Sequence, residues 1–271
     1  MNIPRPEGFV VNEIPGDYKQ GDCTHFTLWK KGWNTLDAIR IIAKQLRVGV
    51  ERFGYAGLKD RDAITTQRVS AWRVPIIRLK QLSINNLQLS DFIEQKERIK
   101  IGSHKGNKFE IILEGISKLR KPVNVPNLFG PQRFGGNELL GKLLLEGKWE
   151  EITKQADERV INDYLRQKPG DYLGAVRAID KRIRFLWVNA WQAYQWNNEL
   201  DITIDKQELK DYSMIKEMPE LGTFKGGLRI TKLTPSDYKA VKIKDGFKVS
   251  FGLPKGSYAT TIISYITTVE Q

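Results

Sequence analysis

The strongest periodic pattern in the front part of the chain is a helical spacing of apolar residues. The apolar positions recur three and four residues apart: Leu36, Ile39, Ile42, Ala43 and Leu46. Asn34 stands directly before this run, where a side-chain oxygen can accept a hydrogen bond from a free N–H of the first helical turn. Asp37 lies near the positive end of the helix dipole, which favours a negative charge. The pattern predicts an amphipathic helix that begins after Asn34 and ends near Val48.

Stretches rich in strand-forming residues follow this helix and recur near the end of the chain. Residues 65–74 and 109–113 are rich in β-branched and aromatic side chains, which predicts two strands. Residues 247–251 alternate in polarity as a half-buried strand does. Residues 257–269 are again β-branched and aromatic, so the chain is predicted to end in or beside the sheet.

The middle of the chain turns to helical spacing. Three helices are predicted, over residues 139–145, 149–165 and 182–200. The third carries apolar side chains on one face, which is typical of a helix packed on a core: Ile183, Trp187, Trp191 and Tyr194. Residues 201–238 are polar and turn-rich. Together these elements predict an α+β fold with a strand-rich front and back and a helical middle.

Composition narrows the class of protein. The chain has 271 residues, of which 40% are hydrophobic, and this is enough for a core of its own. Its single cysteine, Cys23, allows no intrachain disulfide, and its two histidines are not spaced as zinc ligands. No apolar run reaches the roughly 18 residues of a membrane span, and residues 1–15 lack a hydrophobic signal core. We therefore expect a cytoplasmic protein that contacts no membrane.

The charge balance points to the kind of partner. The chain contains 44 Lys and Arg against 32 Asp and Glu, a net charge of +12. Lysine and arginine that neutralise phosphates release counterions, which drives association with polyanions. RNA or DNA is therefore the first candidate partner, and a solvated basic surface is the alternative.

The densest group of charged residues lies in the segment 53–67, after two glycines that allow a tight turn and before a predicted strand. A loop between a helix and a strand is a usual position for a catalytic group. Asp60 is flanked by Lys59 and Arg61, and nearby cations favour the ionised carboxylate that a nucleophile or charge stabiliser needs. Two other interpretations stay open: a solvated turn whose charges pair with one another, and a divalent-ion site formed by Asp60 and Asp62.

A second segment, residues 126–136, is rich in glycine and aromatic residues. It lacks the Lys-Ser/Thr pair with which a phosphate loop reaches phosphates and magnesium, so a P-loop NTPase is excluded. Its aromatic rings, its amides and the guanidinium of Arg133 can stack on a base, read its edge and hold a phosphate. A purely structural loop is the alternative.

Four motifs, taken in order, resemble those of the TruD family of tRNA pseudouridine synthases. They are Gly-Leu-Lys-Asp-Arg at 57–61 with Ala63, Thr65 and Gln67, Lys-Gly-Asn-Lys-Phe at 105–109, Asn-Leu-Phe-Gly at 127–130 with Gln-Arg-Phe-Gly at 132–135, and Leu-Pro at 253–254 with Gly-Ser-Tyr-Ala-Thr at 256–260. Residues 6–13 resemble the family's entry strand more weakly. Four separated motifs in the right order are more specific than any one alone, and the resemblance runs from end to end of the chain.

The resemblance implies a reaction and a fold. The family breaks the bond between N1 of a uridine and C1′ of its ribose, turns the base and rejoins it through C5, without cofactor, metal or nucleotide. The expected partner is tRNA, with the uridine at position thirteen of the D-arm as the target, and a monomer is expected. The expected fold is a pseudouridine synthase catalytic domain at residues 1–145 and 240–271, with a mixed, largely antiparallel sheet flanked by helices. Residues 146–239 would form an abbreviated, mostly helical insertion.

The family's essential aspartate falls on Asp60. It would act as a nucleophile on the sugar or the base, or would stabilise and deprotonate a glycal-type intermediate, and both routes stay open. The uridine must leave its stack for this chemistry, so an aromatic platform is needed, and Phe129 is the resembling position. The other residues that the resemblance assigns to substrate binding are Asn127, Phe9, Glu13, Lys59, Arg61 and Arg133. Among these, Asn127 would organise the loop or contact the base, Phe9 would act by packing, and Glu13 would be a polar partner near the catalytic segment.

The sequence departs from the family at two positions near its start. Ile3 stands where many relatives carry Lys, and Gly8 replaces an acidic residue. The basic contact next to Asp60 is therefore left to Arg5 or Lys59. Two other classes of function remain open: a non-catalytic RNA-binding protein that retains the motifs as structure, and a metal-dependent nuclease that uses the two aspartates of the same loop.

Overall fold

The computed structural model describes residues 1–19, 21, 23–200, 207–211, 216–218, 221–224 and 227–268. Its residues fall into two compact units. Within the described ranges, the first unit comprises Met1–Pro122, Pro235–Ala259 and Ile266–Gln271, and the second comprises Val123–Thr234 and Thr260–Tyr265. The limits of the second unit differ from those of the expected insertion at residues 146–239. That insertion is defined by comparison with relatives, and it stays a prediction.

The first unit is built mainly of strands. Its elements up to Pro122 are β1 (Phe9–Ile14), β2 (Cys23–Lys31), α1 (Thr35–Leu46), β3 (Phe53–Tyr55), β4 (Ile64–Ala71), α2 (Ile76–Lys80), β5 (Leu87–Gln95) and β6 (Gly106–Glu114). The helix predicted after Asn34 and the strands predicted at 65–74 and 109–113 are therefore confirmed as α1, β4 and β6.

The second unit is mostly helical. Its described elements are β7 (Val125–Pro126), α3 (Asn137–Glu146), α4 (Trp149–Gln155), α5 (Arg159–Gln167), α6 (Tyr172–Ala178), α7 (Lys181–Glu199), β8 (Leu209–Asp211), β9 (Lys216–Met218), β10 (Gly222–Phe224), β11 (Leu228–Ile230) and β12 (Lys232–Leu233). The end of the chain then forms β13 (Ser236–Ile243), β14 (Gly246–Pro254) and α8 (Ala259–Thr267). The strand predicted at 247–251 is confirmed as β14. The region predicted to be polar and turn-rich, 201–238, lies partly outside the described residues, and its described parts consist mainly of short strands.

The main sheet lies wholly in the first unit. Among the described residues it has eight strands, in the order β13-β14-β6-β1-β4-β2-β5, with β3 paired to β4. Strands β1 and β4 run parallel, and the other neighbours run antiparallel. β1 pairs with the first residues of β4 and β3 with the last, so β1 and β3 share one edge of β4. The expected α+β fold with a mixed, largely antiparallel sheet is confirmed.

Helix α1 covers one face of this sheet. Its buried apolar side chains are Ala38, Ile39, Ile42, Ala43 and Leu46, and they form one cluster with strand residues that include Phe26, Leu28 and Val69. Leu36, at the start of the predicted stripe, is exposed instead. The side-chain oxygen of Asn34 accepts a hydrogen bond from the backbone N–H of Asp37 at 2.8 Å, so Asn34 caps the helix as predicted. The helix therefore starts at a defined place, directly beside the candidate site described below.

The helix predicted over 149–165 is two helices, and the prediction of one continuous helix is wrong. Ile152 of α4 and Ile161 of α5 are both buried in the core of the second unit. Nine residues of a straight helix make about two and a half turns, which would place these two side chains on opposite faces. The break between α4 and α5 allows both to reach the same core.

Three further helices were not predicted: the short helix α2, and helices α6 and α8. Helix α6 begins after Asp171, whose side chain accepts a hydrogen bond from the backbone N–H of Gly174 at 2.9 Å, a capping signal that the sequence carries. Residues 257–269 were predicted to lie in or beside the sheet; helix α8 shows that a strand within the sheet is wrong for Ala259–Thr267, and Val269 lies outside the described residues. A position beside the sheet stays a prediction. The buried side chains of α8 are Ala259, Ile262, Ile263 and Ile266, a helical spacing that overrides the strand propensity of isoleucine.

Helix α7 carries the aromatic stripe noted in the sequence. Trp187 is buried, and Ile183 and Trp191 pack against the core of the second unit, as the core interpretation predicts. Tyr194 is 42% exposed and stacks on Trp191, with ring centroids 5.4 Å apart. None of the described helices combines the length and the apolar character that a membrane crossing requires.

Candidate active site

Asp60 lies in the connection between β3 and β4, residues 56–63, which we call the Asp60 loop. The sequence predicted a loop between a helix and a strand. The structure instead places the short strand β3 between helix α1 and this loop. Asp60, Arg61 and Asp62 are exposed, whereas Lys59 is buried. The loop therefore points the Asp60 side chain outward and the Lys59 side chain inward.

The start of α1 holds the backbone of the Asp60 loop. The Lys59 N–H donates to the hydroxyl oxygen of Thr35 at 2.8 Å, and the Thr35 hydroxyl donates to Oε1 of Gln67 at 2.9 Å. The Gln67 amide in turn donates to the carbonyl of Gly57 at 3.2 Å. Because Thr35 and Gln67 are buried, this chain of hydrogen bonds fixes the loop without competition from water.

The ammonium group of Lys30 holds the same loop. Its Nζ donates to the carbonyl oxygens of Trp33 at 2.5 Å, Asp60 at 2.8 Å and Lys59 at 3.3 Å. Burial lowers the pKa of Lys30 to about 8; the negative charge of Asp60 opposes this shift and the positive charge of Lys59 adds to it. Sequence reasoning missed Lys30, although the lysine stands in phase with the buried Phe26 and Leu28 of an alternating strand.

A buried ion pair lies beneath the loop. The Lys59 Nζ lies 3.0 Å from Oε2 of Glu13 and donates to Oδ1 of Asn107 at 2.7 Å. The other Glu13 oxygen accepts the backbone N–H of Arg68 at 3.2 Å. The side chains of Lys59 and Glu13 are 6% and 0% exposed. Through Glu13 and Asn107, Lys59 connects the loop to β1 and β6. The role of Lys59 and Glu13 in substrate binding stays a prediction.

Arg5 contacts the loop from the start of the chain and also lies against the ring of Phe9. Arg5 Nη1 donates to the carbonyl of Asp62 at 2.9 Å, and its guanidinium lies 4.0 Å from the centre of the Phe9 ring. Phe9 is buried, and its role in substrate binding by packing stays a prediction. Of the two candidates for a basic contact near Asp60, Arg5 therefore binds the carbonyl of Asp62, and Lys59 pairs with Glu13.

Breaking the buried pair is expected to destabilise the first unit. Glu13→Gln leaves the Lys59 ammonium buried without its counter-charge, which costs about 3–5 kcal/mol. Glu110→Gln is the matched control, because Glu110 pairs with Lys248 at 2.9 Å on the same sheet but with both side chains about half exposed; its cost is about 0–1 kcal/mol. Urea unfolding of both variants measures the difference, and equal costs would contradict a structural role for the buried pair.

The second predicted cluster, residues 126–136, lies in the second unit. We call its residues 127–130 the Phe129 loop. The Asn127 N–H donates to the carbonyl of Thr231 and its side-chain amide donates to that of Ile230, both at 2.8 Å. Asn197 of α7 donates to the carbonyl of Phe129 at 3.0 Å and accepts its N–H at 2.8 Å. Asn127, which the resemblance assigns either to organising the loop or to contacting the base, is buried and makes hydrogen bonds that hold the loop; its contact with a base stays a prediction.

Arg229 is the residue of this loop's surroundings that sequence reasoning missed. Its guanidinium donates to the backbone oxygen of Asn127 at 2.9 Å, to Oδ1 of Asn127 at 2.7 Å and to the carbonyl of Leu128 at 3.0 Å. It also lies 3.9 Å from the centre of the Phe129 ring, whereas Arg133 lies 5.9 Å from it. Phe129 is only 7% exposed, so the stacking role predicted for it would require neighbouring side chains to move when a base binds.

The described residues contain no group of three or more His, Cys, Asp or Glu side chains that could hold a metal ion. A divalent ion shared by Asp60 and Asp62 stays a hypothesis. The site residues thus divide between the units: Asp60, Lys59, Arg61, Glu13 and Phe9 in the first, and Asn127, Phe129 and Arg133 in the second.

The fold is shared with a solved structure. A crystal structure of the TruD protein from Methanosarcina mazei is similar to this one with a TM-score of 0.72, over 97% of this chain and 92% of that chain, at 18% sequence identity. Such an identity is low, so this comparison speaks for the architecture alone.

Sequence comparison gives the family. The family model described as tRNA pseudouridine synthase D (TruD) matches residues 4–156, 152–211 and 203–266. A relative from Methanocaldococcus jannaschii named "Probable tRNA pseudouridine synthase D 1" is 27% identical over 95% of this chain and 93% of its own length. Another, from Nanoarchaeum equitans, is 30% identical over 80% of this chain and 66% of its own. The chain belongs to the tRNA pseudouridine synthase D family.

Proposed function

We propose that this protein converts uridine to pseudouridine in tRNA and that Asp60 is the catalytic residue. The observation that carries the proposal is the construction of the Asp60 loop. An exposed carboxylate stands on a backbone that Lys30, Thr35 and Arg5 hold through hydrogen bonds. Membership of the tRNA pseudouridine synthase D family supports the same reaction.

The proposed reaction is an isomerisation that balances without an oxidant, a reductant or a cofactor. The bond between C1′ and N1 of the uridine breaks, and a bond between C1′ and C5 forms after the base has turned. N1 gains a proton and the hydrogen of C5 leaves to solvent. Asp60 would attack the sugar or the base as a nucleophile, or would stabilise and deprotonate a glycal intermediate.

The target base must leave its stack before this chemistry can start. We propose that Phe129 stacks on the unstacked base and that Arg61 and Arg133 contact the RNA backbone. The net charge of +12 supports a polyanionic substrate, because cationic side chains release the counterions of the phosphates that they neutralise. Action in the cytoplasm and a monomeric state are part of the same proposal.

We propose that residues 146–239 form an abbreviated insertion. The alignment with the Methanocaldococcus jannaschii relative runs over 367 positions, against the 271 residues of this chain, which supports the absence here of segments that the relative has.

We propose position thirteen of the D-arm as the target. Replacing uridine 13 of a tRNA transcript by cytidine should abolish the reaction. Undiminished reaction would assign the activity to another uridine.

Release of tritium from tRNA transcripts that carry [5-³H]uridine tests the reaction, because formation of the new C5 bond must expel that hydrogen. We expect release without added nucleotide and in the presence of EDTA, with the transcripts left intact on a denaturing gel. Tight binding of a broad pool of folded transcripts without release would favour a non-catalytic RNA-binding protein. Cleavage that EDTA abolishes would favour a metal-dependent nuclease.

A further inference from the structure

Lys30 is a fully buried lysine whose recorded partners in the described residues are three backbone carbonyl oxygens. Burial of an ammonium group is costly unless its hydrogen bonds are satisfied. Three N–H donors match three acceptors, so each hydrogen of the group has a partner. Two of the acceptors, the carbonyls of Lys59 and Asp60, belong to the two peptide groups that flank the Cα atom of Asp60.

We propose that Lys30 is a positioning residue for Asp60, an inference that rests on the proposed catalytic role of this aspartate. Peptide groups are planar, so the orientation of two successive carbonyls determines the φ and ψ angles of the residue between them. One ammonium group that binds both carbonyls therefore fixes the backbone of Asp60 and the direction of its Cα–Cβ bond. Only the side-chain rotations of the exposed carboxylate remain free.

The third contact ties this arrangement to the rest of the fold. The carbonyl of Trp33 lies just before α1, and the first residue of that helix, Thr35, accepts the N–H of Lys59. Lys30 thus binds the carbonyl of Lys59, and Thr35 binds the N–H of the same residue. Both supports lie where β2 leads into α1. A displacement of about 1 Å at a reacting group can cost about 100-fold in rate, so loss of this support should reduce catalysis.

The protonation state of Lys30 should make kcat depend on pH, and a residue with only a structural role would not cause this dependence. The charged groups that shift its pKa are Asp60 and Lys59, both in the Asp60 loop, and burial is the largest cause. The pKa of Lys30 is lowered to about 8, so the ammonium loses a proton as the pH rises above that value. The neutral amine has two donors and no charge, and the hold on the loop weakens.

The test compares Lys30→Met with Lys31→Met in the full chain, with [5-³H]uridine tRNA transcripts as substrate. Lys31 is the next residue of the same strand, and its side chain pairs near the surface with Glu7 at 2.6 Å. At about pH 7, Lys30→Met should lower kcat by about 10- to 100-fold and change KM by less than about threefold. Lys31→Met should change both by less than about twofold.

The pH profile completes the test. The ratio of wild-type to Lys30→Met kcat should fall by at least about threefold between about pH 7 and 9.5, because the wild-type ammonium deprotonates in this range. Ionisation of uridine affects both proteins equally and cancels in the ratio. An unchanged kcat, a ratio independent of pH, or an effect on KM alone would overturn the proposal.

Lys30→Gln keeps the test decisive if Lys30→Met does not fold, as judged by circular dichroism. The amide supplies two donors without charge, so kcat should fall by less than is expected for Lys30→Met. Because glutamine does not ionise, kcat should no longer vary with pH through the ionisation of residue 30. A Lys30→Gln protein that retains the full wild-type kcat and pH profile would overturn the proposal.

Hydrogen exchange of residues 56–63 separates this inference from the proposed function, because it needs no substrate. The backbone amides of the loop should exchange faster in Lys30→Met, or in Lys30→Gln, than in Lys31→Met. Equal exchange would overturn the positioning role. If the wild-type protein releases no tritium while exchange is faster in the Lys30 variant, the proposed function fails and the hold of Lys30 on the loop stands.

Discussion

Asp60→Asn is expected to abolish turnover, with the single-turnover rate of tritium release falling by at least about 10⁴-fold. The amide can act neither as a nucleophile nor as a base towards the uridine or its ribose. The Asp60 side chain is exposed, and Lys30 contacts only the backbone carbonyl of this residue, so the substitution leaves the fold of the loop intact. tRNA binding, measured by filter retention, should therefore change by less than about threefold.

Asp62→Asn is the matched control for this experiment. Asp62 is also exposed and lies in the same loop, where its backbone carbonyl accepts a hydrogen bond from Arg5. We expect its turnover to stay within about threefold of the wild-type value, since this side chain has no part in the proposed reaction. Retained turnover in Asp60→Asn would make the assignment wrong. Equal losses in both variants would point to a joint role of the two carboxylates.

Phe129→Ala is expected to produce the second largest effect, a fall in kcat of about 10- to 100-fold. Stacking of a base on an aromatic ring contributes about 1–3 kcal/mol, and each 1.4 kcal/mol corresponds to about a tenfold change. The ring is 7% exposed and lies against the guanidinium of Arg229, so its removal also leaves a cavity. The substitution should therefore lower the melting temperature as well as the rate.

Phe129→Leu separates these two effects. Leucine fills most of the cavity but has no aromatic face, so the melting temperature should recover towards the wild-type value while kcat stays low. Recovery of kcat together with stability would show that Phe129 acts as a scaffold for the loop and does not stack on the base. Single-turnover kinetics and thermal unfolding on the same three proteins provide the comparison.

The elements with a complete local signal were predictable. Helix α1 has an N-cap, an acidic first turn and an apolar face, and the structure confirms all three. The break between α4 and α5 could not be inferred in the same way, because the pattern alone does not say which core Ile152 and Ile161 must reach. Helix α8 was missed for another reason: strand propensity was weighed above a helical spacing that the sequence does contain.

The candidate site divides in the same manner. The glycines and charges of the Asp60 loop, with the family motifs around them, indicated the aspartate and its neighbours. The loop's supports lie far away along the chain: Lys30 is 30 residues before Asp60, and Glu13 is paired with Lys59 across the sheet. Arg229 reaches the Phe129 loop across 102 residues. No local pattern connects such positions.

By itself the sequence therefore determined the class of fold, helix α1 and strands β4, β6 and β14 of the first unit, the family and the residue proposed to react. Apolar periodicity, capping residues and turn residues are local properties, and a short window of sequence contains them in full. The tertiary structure alone decided that Lys59 turns inward to Glu13 while Asp60 turns outward, and that Lys30 binds the carbonyls on either side of Asp60. A buried polar group must find a hydrogen-bonding partner, and only the packing of distant segments decides which partner lies within reach.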